Sequence, residues 1–412
     1  MKFEFFMAKR LTGVSNGIIS SSAVKIAVVS VALSVAVMIL SVSVITGFKN
    51  EILGKAIGFS SCVNIVNREA AENLETRPVG LSQDFYPSLA DEDGISHIQP
   101  YVIKPAVFKN GQQISGAALK GVSKDFDWTF FRKNLVSGDV FSSGDTVGGR
   151  KIVISQKMSD LLGVKTGESI VAYFIQNPLR MRKYTISGVY STGLEEYDKL
   201  IALVDMSDLQ KLNSWTENDV TGFEVMIDDF SRLDEMTELV REYAGYKIQA
   251  DGSALKVSSV KDNNRQLFDW ITLTEMNVWV ILAIMFFVAF VNMSTALLII
   301  IFEKASVIGL LKAIGATNWL VRKIFIIQSL YILLKGMAIG NVIALIIILL
   351  QHYFHLIPLD ASSYYVDYVP AEFQLWYFVA IDIATLLIMS VMLIIPSFAV
   401  SKMQPAKVIG FK

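Results

Sequence analysis

Four apolar stretches, each about as long as a bilayer is thick, constrain this 412-residue chain more than any other feature. A helix needs about 20 consecutive apolar residues to cross the hydrocarbon core. Residues 26–48 run uncharged between Lys25 and Lys49, and residues 276–302 run uncharged between Glu275 and Glu303. Residues 324–350 are interrupted only by Lys335, and residues 375–399 only by Asp382. A secretory leader is the competing reading of the first stretch. Its apolar core is too long for one and no A-x-A pattern follows, which favours a retained span.

Charge then sets the orientation. Lys2, Lys9, Arg10 and Lys25 precede the first span; Lys304, Lys312, Arg322 and Lys323 separate the second from the third; Lys402, Lys407 and Lys412 follow the fourth. The loop 351–374 carries Asp360, Asp367 and Glu372 but no Lys or Arg, and Tyr364, Tyr365, Tyr368, Trp376 and Tyr377 cluster around it. The positive-inside rule puts segments 1–25, 303–323 and 400–412 in the cytoplasm, with the aromatics as a belt at the far interface. Residues 49–273 then face outward. The expected fold is a membrane protein of four transmembrane α-helices with a large extracytoplasmic α+β domain between helices one and two.

Within 49–273, the runs Lys151–Ser155, Ser169–Ile175, Lys183–Tyr190, Leu200–Asp205 and Gly222–Asp228 are β-rich and separated by turn residues. Ser155 is placed to cap a helix over Gln156–Leu162 that Gly163 ends, and Ser231 with Asp234 has the capping-box spacing ahead of Leu233, Met236, Val240 and Tyr243, spaced as one helical face. Residues 264–275 read as a helical stalk. The tip Gln176–Met181 presents Pro178, Leu179 and Met181 and is either an ordinary loop or a docking finger.

Catalytic signals are missing from the sequence. There is no G-x-x-x-x-G-K-[ST], and Gly163–Ser169 only echoes one. Neither H-E-x-x-H nor G-x-S-x-G occurs. Cys62 alone excludes an intramolecular disulfide framework, and a net charge of -1 argues against nucleic acid as a partner. Glu195, Glu196 and Asp198 read as a solvated acidic run. His352 and His355, three apart, read as interfacial residues or, less simply, as two metal ligands on one helical face. Lys335 and Asp382 either pair across helices or sit separately near the headgroups. Gly336 and Gly340 form a G-x-x-x-G that lets a neighbouring helix approach closely, and Ser30, Ala32, Ser34 and Ala36 give span one a small-residue face.

The second cytoplasmic segment carries more information. Val307, Leu310, Leu311 and Ile314 are spaced to line one face of a short helix that Gly315 ends, with Thr317 or Asn318 capping the next. Such a helix either lies passively in the interface or seats in a groove of another protein.

Its residues Glu303–Lys304 and Ile308–Gly309–Leu310–Leu311–Lys312–Ala313–Ile314–Gly315–Ala316–Thr317 resemble the coupling segment of the MacB/FtsX-like ABC permeases, in particular the lipoprotein-releasing LolC/LolE type. Thr46–Gly47–Phe48–Lys49–Asn50–Glu51–Ile52–Leu53, the block from Ile186 to Asp198, Gly222–Phe223–Glu224–Val225, and the closing Pro396, Ala399, Pro405, Ala406 and Val408 resemble the same family in order. The resemblance implies a non-enzymatic permease subunit of the bacterial inner membrane, paired with a second permease subunit and driven by a separate LolD-like ABC ATPase. ATP and Mg would be bound by that partner, with no cofactor on this chain. Lipoprotein would be extracted from the outer leaflet by mechanotransmission and passed to a periplasmic carrier. By motif match, Glu303, Lys304, Gly309, Leu310, Leu311, Lys312 and Gly315 would meet the ATPase, and Leu311→Asp is expected to uncouple the chain without unfolding it. The apolar outer ends of spans one and two (Val44, Ile45, Phe48, Met276 and Val280) would line the lipid and substrate cleft. The tip Pro178, Leu179 and Met181 is shorter than the family's carrier-capturing finger. Lys335 is a departure from the family. Two alternatives stand beside this reading: another mechanotransmission permease that exports drugs or peptides or regulates periplasmic hydrolases, and a membrane-anchored sensor with no ATPase.

Overall fold

A computed structural model describes residues 18–69, 77–144, 149–246, 254–360 and 364–399. The readings on Lys2, Lys9, Arg10, Lys402, Pro405, Ala406, Lys407, Val408 and Lys412 lie outside the described residues. Contacts divide the chain into two units, one comprising Met1–Lys49, Trp270–Pro358 and Tyr368–Lys412, the other Asn50–Asp269 with Leu359–Asp367.

The first unit holds the apolar stretches. Helices α1 (Ile18–Ser60), α5 (Arg265–Glu303), α7 (Asn318–Phe354) and α8 (Leu375–Met392, prolonged by a turn at Ile394–Ser397) are each long and apolar enough to cross a membrane. Between α5 and α7 lies the short α6 (Ala305–Ala313). The glycine pair of α7 is used inside the chain. A Cβ on Gly336 would lie 2.7 Å from Val31 Cβ, and one on Gly340 would lie 2.6 Å from the Ala32 carbonyl oxygen. α7 therefore meets α1 backbone to backbone at Ala32, an approach that glycine permits, and Ala32, Ser34 and Ala36 of α1 are all buried. Asn292 on α5 donates to Ser30 Oγ on α1, giving two half-buried polar groups of the apolar helices a partner in each other.

Two polar readings change. Asp382 accepts from Asn341 Nδ2 at 2.7 Å, so its partner across α7 and α8 is an amide and not Lys335, which is exposed. His355 leaves the helical ladder in the left-handed conformation at φ 46° and its ring lies 3.9 Å from that of Tyr368, so it does not share a helical face with His352.

The second unit is a mixed α+β domain. Its strands are β1 (Val63–Asn67), β2 (Val79–Gly80), β3 (Ile95–Asn110), β4 (Gln113–Val122), β5 (Leu135–Gly138), β6 (Lys151–Ser155), β7 (Ser169–Phe174), β8 (Arg180–Tyr190), β9 (Ile201–Asp205), β10 (Asp219–Val220), β11 (Gly222–Ile227) and β12 (Leu255–Ser259). The main sheet runs β12-β1-β11-β3-β4-β9-β6-β8-β5, with β7 paired to both β3 and β8, while β2 and β10 pair separately. β4 with β9 and β6 with β8 are parallel and the other pairs antiparallel. Helices α2 (Gln156–Leu162), α3 (Met206–Asn213) and α4 (Leu233–Val240) connect strands.

Local chemistry explains the helix ends. Ser155 Oγ accepts from the Met158 amide, and Gly163, at φ 63°, ends α2 with the Val164 amide bonded back to the Ser159 carbonyl. The expected cap at Ser231 is not formed. Asp229 takes the Ser231 amide and starts a 3-10 turn (Phe230–Arg232), after which α4 buries Leu233, Met236 and Val240 as their spacing requires. Asp229 Oδ1 also accepts from Ser231 Oγ at 2.8 Å, so the serine hydroxyl is engaged as a donor to the aspartate and does not cap α4.

Candidate functional site

α6 is placed by its two ends. At the start, α5 closes with the Lys304 amide bonded to the Ile300 carbonyl, and the Ile308 amide bonds back to the Lys304 carbonyl. At the finish, the Ala316 amide reaches the Leu311 carbonyl at 2.9 Å and the Gly315 amide reaches the Lys312 carbonyl at 3.1 Å. With Gly315 at φ 96°, this is a Schellman close, and a residue with a Cβ would be strained there. Thr317 Oγ1 then accepts from the Leu320 amide and starts α7.

The helix so fixed is two-sided. Ile308 and Leu311 are buried in one core with Val321, Ile324 and Phe325 of α7 and with Leu393. Leu310 is 61% exposed and Ile314 73% exposed, one helical turn apart. The single face expected from Val307, Leu310, Leu311 and Ile314 is therefore split: Leu311 belongs to the fold, while Leu310 and Ile314 look outward. The expectation that Leu311→Asp would leave the chain folded falls with it. Phe302 and Trp319 extend the exposed apolar surface. Neither was singled out in the sequence, because Phe302 is the last residue of an apolar span and Trp319 sits beyond the helix-breaking Gly315.

Charge surrounds this surface. Glu303 Oε2 is buried with no hydrogen-bond partner among the described residues. Burial holds the Lys312 ammonium below its ordinary pKa. Arg322 stacks 3.7 Å from the Phe398 ring centre and donates from Nε to Ser397 Oγ at 3.2 Å, joining the start of α7 to the end of the fourth span.

α1 and α5 are joined by Phe48 and Trp270, whose ring centres lie 6.1 Å apart, and by Lys49 Nζ donating to Glu275 at 2.7 Å. Of the five cleft candidates, Met276 and Val280 are exposed, Val44 and Phe48 are half-buried, and Ile45 is buried. Met276 and Val280 belong to an exposed apolar row on α5 that continues through Ile284, Phe287 and Val291.

In the domain, residues 175–179 join β7 to β8, and Arg180 and Met181 of the expected tip are the first residues of β8. Arg180 donates to the Lys211 and Leu212 carbonyls and Gln176 to the Leu212 carbonyl, so the polar side of the tip closes the end of α3. The apolar side is left outward: Ile175, Pro178, Leu179 and Met181 are all exposed.

The block from Ile186 to Asp198 turns out to be architecture. Asp198 is buried, not solvated as its acidic neighbours suggested, and accepts from the Thr192 amide, Thr192 Oγ1 and the Gly193 amide at 3.1, 2.8 and 3.2 Å. Burial pushes its carboxyl above the usual range, with these hydrogen bonds acting the other way. Tyr197 stacks on Phe59 at 4.9 Å, and Phe59 also meets Phe130, Phe131 and Tyr190. This aromatic cluster surrounds the last turn of α1.

Residues 26–243, more than half of the chain, match the MacB-like periplasmic core domain, and residues 279–405 match the FtsX-like permease C-terminal domain. Among known proteins, the chain is 24% identical over 410 residues to the lipoprotein-releasing system transmembrane protein LolC of Neisseria meningitidis, covering 94% of each. It is 22% identical over 426 residues to LolC of Xylella fastidiosa, covering 99% of this chain and 97% of the relative. It is 24% identical over 405 residues to the lipoprotein-releasing system transmembrane protein LolE of Haemophilus influenzae, covering 94% of each.

Proposed function

This chain belongs to the MacB-like periplasmic core domain family, and from that premise we propose that it is the permease subunit of an ABC transporter that releases lipoproteins from the inner membrane. Its likeness to both LolC and LolE, over nearly the whole of each, supports the substrate class. The observation that carries the mechanism is the division of α6. One side shares a core with the span that follows it, and the other offers Leu310 and Ile314 to a partner.

In this reading a separate ATPase subunit binds ATP and Mg and seats α6 in a groove. Glu303, Lys304, Gly309, Leu310, Lys312 and Gly315 form the contact or shape it, while Leu311 holds the helix to its own bundle. Movement of the ATPase displaces α6. Ile308 and Leu311 pass the displacement to α7, and Gly336 and Gly340 pass it to α1. α1 and α5 carry it on, because Asn50–Ser60 of α1 and Arg265–Asp269 of α5 belong to the outer domain. Output is mechanical, and no row of charged residues marks a hydrophilic pore in the four apolar stretches. The exposed row on α5 faces lipid, the acyl chains of the substrate and a second permease subunit, homologous or identical. The exposed tip at Pro178, Leu179 and Met181, short as it is beside the family's carrier-capturing finger, is the candidate surface for a periplasmic carrier. The lysine distribution supports a cytoplasmic placement of both termini and α6.

Depletion tests the reading. Lipoproteins destined for the outer membrane should accumulate in the inner membrane as the chain is lost. Normal sorting after depletion, in a strain without a second copy, overturns it.

A further inference from the structure

Lys120, on β4, is almost wholly buried: its side chain is 5% exposed and that of its partner Glu224, on β11, is 3% exposed. Its ammonium donates to Glu224 Oε1 at 2.6 Å and to the Phe59 carbonyl oxygen at 2.8 Å. Glu224 Oε2 accepts from Gln99 Nε2 at 2.9 Å, and Gln99 Oε1 accepts from the Asp127 amide at 3.0 Å. The rings of Tyr101 and Phe126 lie 5.8 and 5.6 Å from the ammonium and keep water away.

Two facts about this network do not fit a purely stabilising role. Charges taken out of water lose most of what their attraction returns, and apolar residues of similar volume usually serve stability as well or better. The ammonium also reaches outside the ion pair, to the backbone of α1. The last carbonyls of a helix have no partner within it, and a cation favours that end. Ser60, next in line, has its carbonyl taken by Asn64 Nδ2 at 2.8 Å. The helix end is thus bound to the sheet by its backbone, beside the packing of the Phe59 ring.

We infer that Lys120 is a positioning residue that pins the last turn of α1 to the middle strands of the sheet, so that axial displacement of α1 moves β3, β4 and β11 and is not lost as slippage. This rests on the permease reading above, and names the point where force enters the domain. Glu224 and Gln99 serve it by holding the ammonium under the helix.

The test uses the full chain with its ATPase in proteoliposomes, reading lipoprotein release to a soluble acceptor, ATP hydrolysis, thermal unfolding, and hydrogen exchange of the Ser61 amide, which bonds to the Ile57 carbonyl at 2.7 Å. Lys120→Met with Glu224→Met removes both charges together. Expected are an unfolding midpoint at or above wild type, retained ATP hydrolysis, faster Ser61 exchange, and release lowered roughly 2- to 30-fold, the range for residues that carry coupling without touching a ligand. Glu224→Gln, which leaves Lys120 bonded to Phe59, should keep more release than the double variant. Wild-type release and exchange in a folded double variant overturn the pin. If the double variant does not fold, Glu224→Gln decides: retained release supports the pin, and release that falls only in step with the unfolding midpoint overturns it. Failure of the wild-type complex to release lipoprotein sinks the permease reading instead, and the exchange result then still judges the pin.

Discussion

Leu310 and Leu311 are adjacent in sequence and opposite in surroundings, so aspartate at each position separates docking from folding. At 61% exposed, Leu310 contributes little to the isolated chain, and Leu310→Asp should shift its stability by no more than about 0.5 kcal/mol. In a partner's groove the same side chain would lose its exposure, and burying a leucine is worth about 1.5–3 kcal/mol. Its removal should therefore weaken ATPase binding roughly 10- to 150-fold. Leu311, at 8% exposed, shares a core with Ile308 and Phe325. Truncation to alanine at such a site costs about 2–5 kcal/mol, and an unpaired carboxylate costs more. The two variants should be purified in detergent, melted, and titrated with the ATPase subunit. The expected pattern is a normal melt with weak binding for Leu310→Asp and an early melt for Leu311→Asp. Normal binding by Leu310→Asp, or a normal melt of Leu311→Asp, refutes the two-sided helix.

Gly336→Ala and Gly340→Ala each insert a methyl against α1 at 2.7 and 2.6 Å, and each should cost about 1–3 kcal/mol by overpacking, read as a lowered unfolding midpoint in detergent; unchanged midpoints would mean that α1 and α7 do not meet there. Asp205 is desolvated, which raises its pKa, but hydrogen bonds from Ser207, Gly144 and Ser143 outweigh this and hold it below the usual carboxylate range. Its stabilising effect is present above the unfolded pKa of about 3.9 and disappears as pH falls through the folded value. At neutral pH Asp205→Asn should lower stability by about 1 kcal/mol, and the gap in melting midpoint should close towards acid pH; a gap that stays constant would contradict the shift.

Sequence legibility followed the strength of the physical signal. A run of apolar residues about 20 long has few alternative fates, so the four spans were plain, and so was the capped α2 between Ser155 and Gly163. β3 was not. It contains Pro100 and Pro105, which argue against a strand, yet these residues pair opposite Phe223 and Ala118 in the longest strand of the sheet. Tertiary pairing overrode local chemistry there. At α6 the spacing located the helix but not its facing, because apolar residues at 307, 308, 310, 311 and 314 form one continuous arc of about 160°, wider than the single neighbour that covers it. Only the neighbouring α7 decides which of them are covered. The Lys120 network was illegible for another reason: its members are far apart in the chain, and nothing local distinguishes a buried lysine from a solvated one.

The uncovered Leu310–Ile314 edge also bears on the life of the protein before assembly. In the reading proposed above, newly inserted chains would carry, on the cytoplasmic side, a greasy step that invites chaperones, proteases and other unassembled copies until the proposed ATPase subunit hides it. Abundance of this chain should then follow the supply of that subunit, with surplus copies removed, so stoichiometry in the membrane would be enforced by quality control acting on a surface that the finished complex never shows.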